Sequence, residues 1–178
     1  MADNEINLPP PKRYITTNDP KTGKAVFSKA MPVEAEGSDL LNAKLYNLYT
    51  TSTFPVELAD DADIEAYKPN YPEMASFHDP NGVLLRIIDC PPNLSKFPHR
   101  TETVDFGVVI QGQIELVLDD GVSQVLNQGD VFVQRATVHE WHNPSETEPA
   151  RFLAVLLPAK PPIGPDGKPI GPLFGSWE

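Results

Sequence analysis

Short apolar runs separated by turn signals recur through the middle of the chain, and their spacing predicts an all-β barrel or sandwich. Val83–Asp89 follows the turn Asp79-Pro80-Asn81-Gly82 and stops at Pro91-Pro92. Val104–Ile110 and Ile114–Leu118 flank Gln111-Gly112-Gln113, which predicts a tight hairpin with glycine where a positive φ costs least. Asp119-Asp120-Gly121 leads into Val122–Leu126, and Asn127-Gln128-Gly129-Asp130 leads into Val131–Gln134. Arg151–Leu157, after the loop Asn143–Pro149, is the last core strand. The run Val108, Val109, Ile110 is apolar on both faces, as expected of a strand covered on both sides.

The first third reads as strands that pack on or extend this core. Lys12–Thr17 and Ala25–Ser28 predict a hairpin across Asn18–Gly23. Leu41, Leu45 and Leu48 fit helical spacing, but the β-branched and aromatic residues that follow favour a strand at Leu45–Tyr49. The acidic stretch Asp60–Tyr67 has room for one helical turn. Pro158–Glu178 is rich in proline and glycine without periodicity, a tail with Phe174 and Trp177 as candidate anchors against this subunit or a neighbour. The organisation is therefore an N-terminal arm with strands (1–80), a barrel core (81–158) and a tail (159–178).

Composition narrows the functional classes. A chain of 178 residues matches about one domain. Its 20 prolines, about twice the usual share, disfavour long helices. A net charge of −11 repels phosphate backbones and anionic membrane surfaces, so neither nucleic acid nor membrane is an expected partner. The single cysteine, Cys90, fits a reducing compartment, and no apolar run approaches the ~18 residues of a membrane span. With no secretory pattern at the start, the expected location is the cytoplasm.

The chemistry gathers on the strands. Read with period two, His99, Thr101, Thr103 and Asp105 share one face, and His139, Trp141 and Asn143 share another. If the two strands are neighbours facing inwards, His99, Asp105 and His139 meet. The stretch His99-Arg100-Thr101-Glu102-Thr103-Val104-Asp105, with Gly112 seven residues on, resembles the first motif of the cupin superfamily, His-x-His, three or four residues, Glu, six residues, Gly. Gly129-Asp130 followed by His139, three residues and Asn143 resembles the second. The resemblance covers about Phe97–Asn143, with Arg13–Phe27 and Val83–Pro92 similar to upstream strands of small cupins that carry a His-Arg-Thr-x-Thr motif. It implies a double-stranded β-helix, a jelly-roll barrel that is commonly dimeric, so a homodimer is the expected assembly.

The motifs also depart from the pattern. Thr101 stands where the second histidine belongs, Asp105 where glutamate belongs, and Arg135 and Thr137 replace proline and glycine in the second motif. Carried over by position, the candidate ligands are His99, Asp105 and His139. Two imidazoles and a carboxylate match a facial triad for Fe(II), with Zn, Mn and Ni as other divalent candidates. The same residues without metal match acid–base catalysis, because an unperturbed histidine titrates near pH 6.5. The cofactor expectation is one divalent ion or none.

Arg86, Thr101 and Trp141 are the candidate substrate contacts, Arg86 because a guanidinium in an apolar strand is costly to bury unless it grips a carboxylate or phenolate. Glu102, His78 and His142 read as surface groups, Asn143 as a loop anchor, and Cys90 as packing. Three functions fit. One is a lyase or isomerase on a carbonyl or phenolic metabolite in secondary or catabolic metabolism. The second is an Fe(II)-dependent oxygenase on the same three residues, and the third a non-catalytic barrel that binds a small ligand.

Overall fold

The computed structural model describes residues 7–73, 76–94 and 96–175. Among the described residues thirteen strands follow one another: β1 Thr16–Asn18, β2 Ala25–Phe27, β3 Ser38–Leu40, β4 Ala43–Thr50, β5 Leu84–Cys90, β6 His99–Arg100, β7 Thr103–Gln111, β8 Gln113–Val117, β9 Ser123–Asn127, β10 Val131–Arg135, β11 Glu140–His142, β12 Ala150–Pro158 and β13 Leu173–Phe174. One short helix, α1 Ala62–Tyr67, lies where the acidic stretch predicted a turn. The 43–50 segment is a strand, because its partner β5 offers a full edge to pair with. No helix among the described residues is long and apolar enough to cross a membrane.

The strands form two facing layers. One is a six-stranded antiparallel sheet ordered β10-β7-β12-β5-β4-β3. The other is ordered β11-β8-β9, and the pair β13-β6 joins it through the bridge between His99 and His139. Inward residues of the large sheet, among them Leu84, Val109, Phe132, Phe152 and Leu156, pack with Ile114 of β8 into the core. This is the double-stranded β-helix that the sequence implied.

The expected hairpin across Gly112 does not form. Both edges of β7 are occupied, by β10 and β12, so β8 has no place beside it and pairs instead with β9 and β11. Gly112 is where the chain leaves one sheet for the other. Its φ is +72°, and a Cβ there would stand 3.1 Å from the Ala150 backbone. A glycine signal is shared by hairpins and sheet crossings, so the local sequence does not separate them.

The outer face of the large sheet is covered unevenly. Tyr46, Leu48 and Ile87 pack under Ala35 of the N-terminal arm. Asp89, fully buried, takes two 2.6 Å hydrogen bonds from Arg151, whose Nη2 also reaches the Pro9 carbonyl and ties down that arm. Phe106, Val131 and Val133, on the same face at the β7–β10 end, are exposed. The tail is more ordered than its composition suggests. Arg100 Nε donates to the Gly171 carbonyl, β13 pairs with β6, and the Phe174 ring stacks on Phe77 at 4.8 Å. Trp177 lies outside the described residues.

Candidate functional site

A cavity opens between the two sheets, offering about 110 Å³ to the centres of water-sized molecules. At roughly 10–15 Å³ per water, that holds several waters or a small organic molecule. Its walls are mostly apolar, and all six candidate residues line it: Arg86, His99, Thr101, Asp105, His139 and Trp141. A more open recess adjoins it, sharing Leu40, Leu45, Phe77 and Arg86, and adding the polar residues Asp39, Asn47 and Glu73.

Strand pairing places the two histidines. His99 and His139 face each other across an antiparallel bridge, each backbone N–H donating to the other's carbonyl at 2.9 and 3.0 Å. Their rings lie 4.2 Å apart. Nδ1 of His99 is 2.9 Å from the Phe97 carbonyl, and Nδ1 of His139 is 3.0 Å from the Thr137 carbonyl. A carbonyl only accepts, so Nδ1 carries the proton in both and Nε2 is left with a lone pair. Burial favours the neutral form of both rings. It lowers the His99 pKa, with the nearby Arg86 charge adding to it, and lowers that of His139 to about 3, helped by the neighbouring ring of His99.

This neutrality has a measurable consequence. A histidine whose pKa is depressed on folding binds its proton in the unfolded chain first. The stability it permits is complete above about pH 6.5 and drains away as pH falls towards about 3. The expected slope from His139 is about 1.4 kcal/mol per pH unit in that window. Melting curves of the wild type and of His139→Gln between pH 7 and 4 check this, and parallel curves would refute it.

Asp105 and Arg86 form the polar floor, on the inward faces of β7 and β5. The hydroxyls of Thr101 and Thr103 lie 2.7 Å apart, and Thr103 favours the ionised form of Asp105. Asp105 Oδ1 is buried with no hydrogen-bond partner. Desolvation lifts the Asp105 pKa to about 6, against the opposing effects of Thr103 and Arg86. Arg86, 7% exposed, donates from Nε to Asn47 Oδ1 at 2.9 Å, and desolvation lowers its pKa to about 10. No ion pair closes between Arg86 and Asp105, although each feels the other's charge.

The expected metal triad does not assemble. Among the described residues, no three His, Cys, Asp or Glu side chains gather closely enough to hold a metal ion. His99 and His139 supply two nitrogen donors, but Asp105 does not gather with them into a ligand cluster, and Thr101 offers only a hydroxyl, a poor ligand for first-row divalent ions. The donor set does not fit a cupin metal.

Other residues fall where the sequence put them. His142 bonds Glu115 at 3.0 Å away from the cavity. Asn143 Nδ2 donates to the carbonyls of Cys90, Pro91 and Glu148, closing the loop that follows. Cys90 is fully buried, and burial pushes its thiol pKa far up, which suits packing. Trp141 forms the wall with Phe132 and Phe152, each 4.8 Å away. Sequence reasoning missed Asn47 and the lid of Phe77 and Phe97 over His99. Asn47 was legible as a polar residue on the inward parity of an apolar strand, whereas Phe77 sits in a loop with no pattern to place it.

Known proteins agree with this geometry. The cupin domain profile matches residues 87–156. Phomopsin biosynthesis cluster protein D of Diaporthe leptostromiformis is 40% identical over 166 residues, covering 93% of this chain and 87% of that protein. Oryzines biosynthesis cluster protein J of Aspergillus oryzae is 38% identical, covering 96% and 95%. The cupin-domain-containing oxidoreductase srdB of Neurospora crassa is 38% identical, covering 86% and 76%. With facing sheets, an inward pair of histidines and relatives aligned along nearly its whole length, this chain belongs to the cupin-domain family.

Proposed function

We propose that the chain is a cupin-type enzyme of secondary metabolism that moves protons on a carbonyl or phenolic metabolite, as a lyase or isomerase, with its own side chains carrying every step. The carrying observation is the unpartnered buried Oδ1 of Asp105, set in an apolar cavity near a guanidinium that no carboxylate neutralises directly. Asp105 is the base: its carboxylate removes a proton from the carbon next to the substrate carbonyl. The electron pair moves onto the carbonyl oxygen, and Arg86 faces that negative charge. The neutral Nε2 atoms of His99 and His139 accept hydrogen bonds from a substrate hydroxyl. Asp105, now protonated, returns its proton to another carbon in isomerisation, or to a departing hydroxyl in dehydration. The clustering of relatives in biosynthetic pathways supports the metabolic setting.

The experiment is solvent-deuterium exchange. Protein in D₂O is mixed with β-diketones and hydroxyaryl ketones, and deuterium at the acidic carbon is followed by mass spectrometry. At least one class should exchange roughly 10²–10⁴ times faster than in buffer. Several relatives are named oxidoreductases, which favours a second reading. Oxygen uptake tied to product formation would establish that reading and overturn the first. Tight binding of the ketones with no exchange would instead leave a non-catalytic barrel.

A further inference from the structure

The pair His99 and His139 is half of a metal site: two neutral imidazoles face to face, with lone pairs free on Nε2. A third donor on the same face of β6 and its continuation would come from position 101, where the side chain is a hydroxyl already committed to Thr103. What shares the cavity with the two imidazoles is a cation. Arg86 is 7% exposed and lines the same space. It is also fixed. Asn47 Nδ2 donates to the Pro72 carbonyl at 3.1 Å, which leaves Asn47 Oδ1 to receive Arg86 Nε. Tyr67 Oη donates to the Asn47 carbonyl at 2.5 Å, and the buried Arg13 of the N-terminal arm donates in turn to Tyr67 Oη. The guanidinium is therefore held by a buried relay running from Arg13 through Tyr67 and Asn47.

We propose that Arg86 is the resident substitute for a metal ion in this barrel: its fixed positive charge repels a divalent cation from the His99–His139 pair and supplies the positive end that binds the oxygen anion of the substrate. This rests on the acid–base reading only for the second role; metal exclusion follows from charge and geometry alone. A unit charge that shares a partly buried cavity with a divalent ion weakens its binding by roughly a hundredfold to a thousandfold at an effective dielectric near 20. Losing one of three protein donors weakens it further. The two devices act on the same ion, so restoring the donor without removing the charge recovers only part of the affinity.

The test is Co²⁺ binding to the intact protein, read from its visible absorption and from metal content after dialysis. Wild type is expected to retain no stoichiometric cobalt. Thr101→His should bind weakly, and Thr101→His with Arg86→Met should bind about one equivalent, at least ~100-fold tighter than the single variant. Thr101→His with Arg86→Lys keeps the charge and should remain weak. Thr101→His with Arg86→Gln provides a second neutral replacement should the methionine variant fail to fold. Stoichiometric cobalt in wild type, lost in His139→Ala, overturns the proposal. So does equal affinity in Thr101→His with and without Arg86. Failure of deuterium exchange would defeat the acid–base reading while leaving these affinities as predicted, so the two failures are distinguishable.

Discussion

Replacing Asp105 with asparagine should slow deuterium exchange by roughly 10²–10⁴-fold and leave the fold intact. The substitution keeps the volume and an acceptor oxygen, but an amide does not take up a proton at neutral pH. The wild-type rate should fall as pH drops through about 6, because the base works only when ionised. The other charged and titratable groups lining the cavity with Asp105 are Arg86 and Cys90 from β5, His99 from β6 and His139 ahead of β11, and burial pushes the Cys90 thiol far above this range. Burial lowers the pKa of both histidines, that of His139 to about 3, and desolvation of Asp105 sets the inflection against the lowering effects of Thr103 and Arg86. Linkage gives the stability sign. A carboxyl with a raised folded pKa disfavours the folded state once pH passes the unfolded value near 4, and the penalty is complete above about 6. Asp105→Asn should therefore melt higher than wild type at pH 7.5 and no higher at pH 4. A variant that exchanges at the wild-type rate would remove Asp105 from the chemistry.

Much of the barrel was legible because its signals are local. Turn residues and two-residue periodicity located β5, β7 to β10 and β12 to within a few positions. Parity alone faced His99 and His139 into one space, because a cross-strand bridge preserves it. What failed depended on partners distant in sequence. The Gly112 crossing is decided by which strands already occupy the edges of β7. Gly107 carried no signal at all, yet it pairs with Phe132, and a Cβ there would stand 2.0 Å from that ring. The metal triad failed for a related reason. Spacing fixes the face a side chain occupies but not its reach, and Asp105 is one methylene shorter than the glutamate of the motif. The proline-rich tail read as structureless because a two-residue strand such as β13 has no periodicity to detect.

Arg86→Met should abolish most activity and stabilise the protein at the same time. Loss of one preorganised positive group at a developing oxyanion typically costs 10²–10³ in rate. The Asp105 carboxyl would also lose the cation that restrains its pKa, so the inflection of any residual activity should move above 6. On the stability side, a guanidinium whose pKa falls to about 10 on burial holds its charge against desolvation at every pH below that value. The penalty is roughly 3 kcal/mol, since each tenfold loss of proton affinity on folding costs about 1.4 kcal/mol. Methionine removes it, at a cost of about 1–2 kcal/mol for leaving Asn47 Oδ1 without a donor. The net gain of about 1–2 kcal/mol corresponds to a melting temperature higher by roughly 2–8 °C in a chain of this size. A purely architectural arginine would behave in the opposite way, since breaking its contacts lowers the melting temperature and leaves exchange untouched. A buried cation that destabilises its own fold is retained for what it does to a ligand, and calorimetry set beside the exchange rate separates that role from packing.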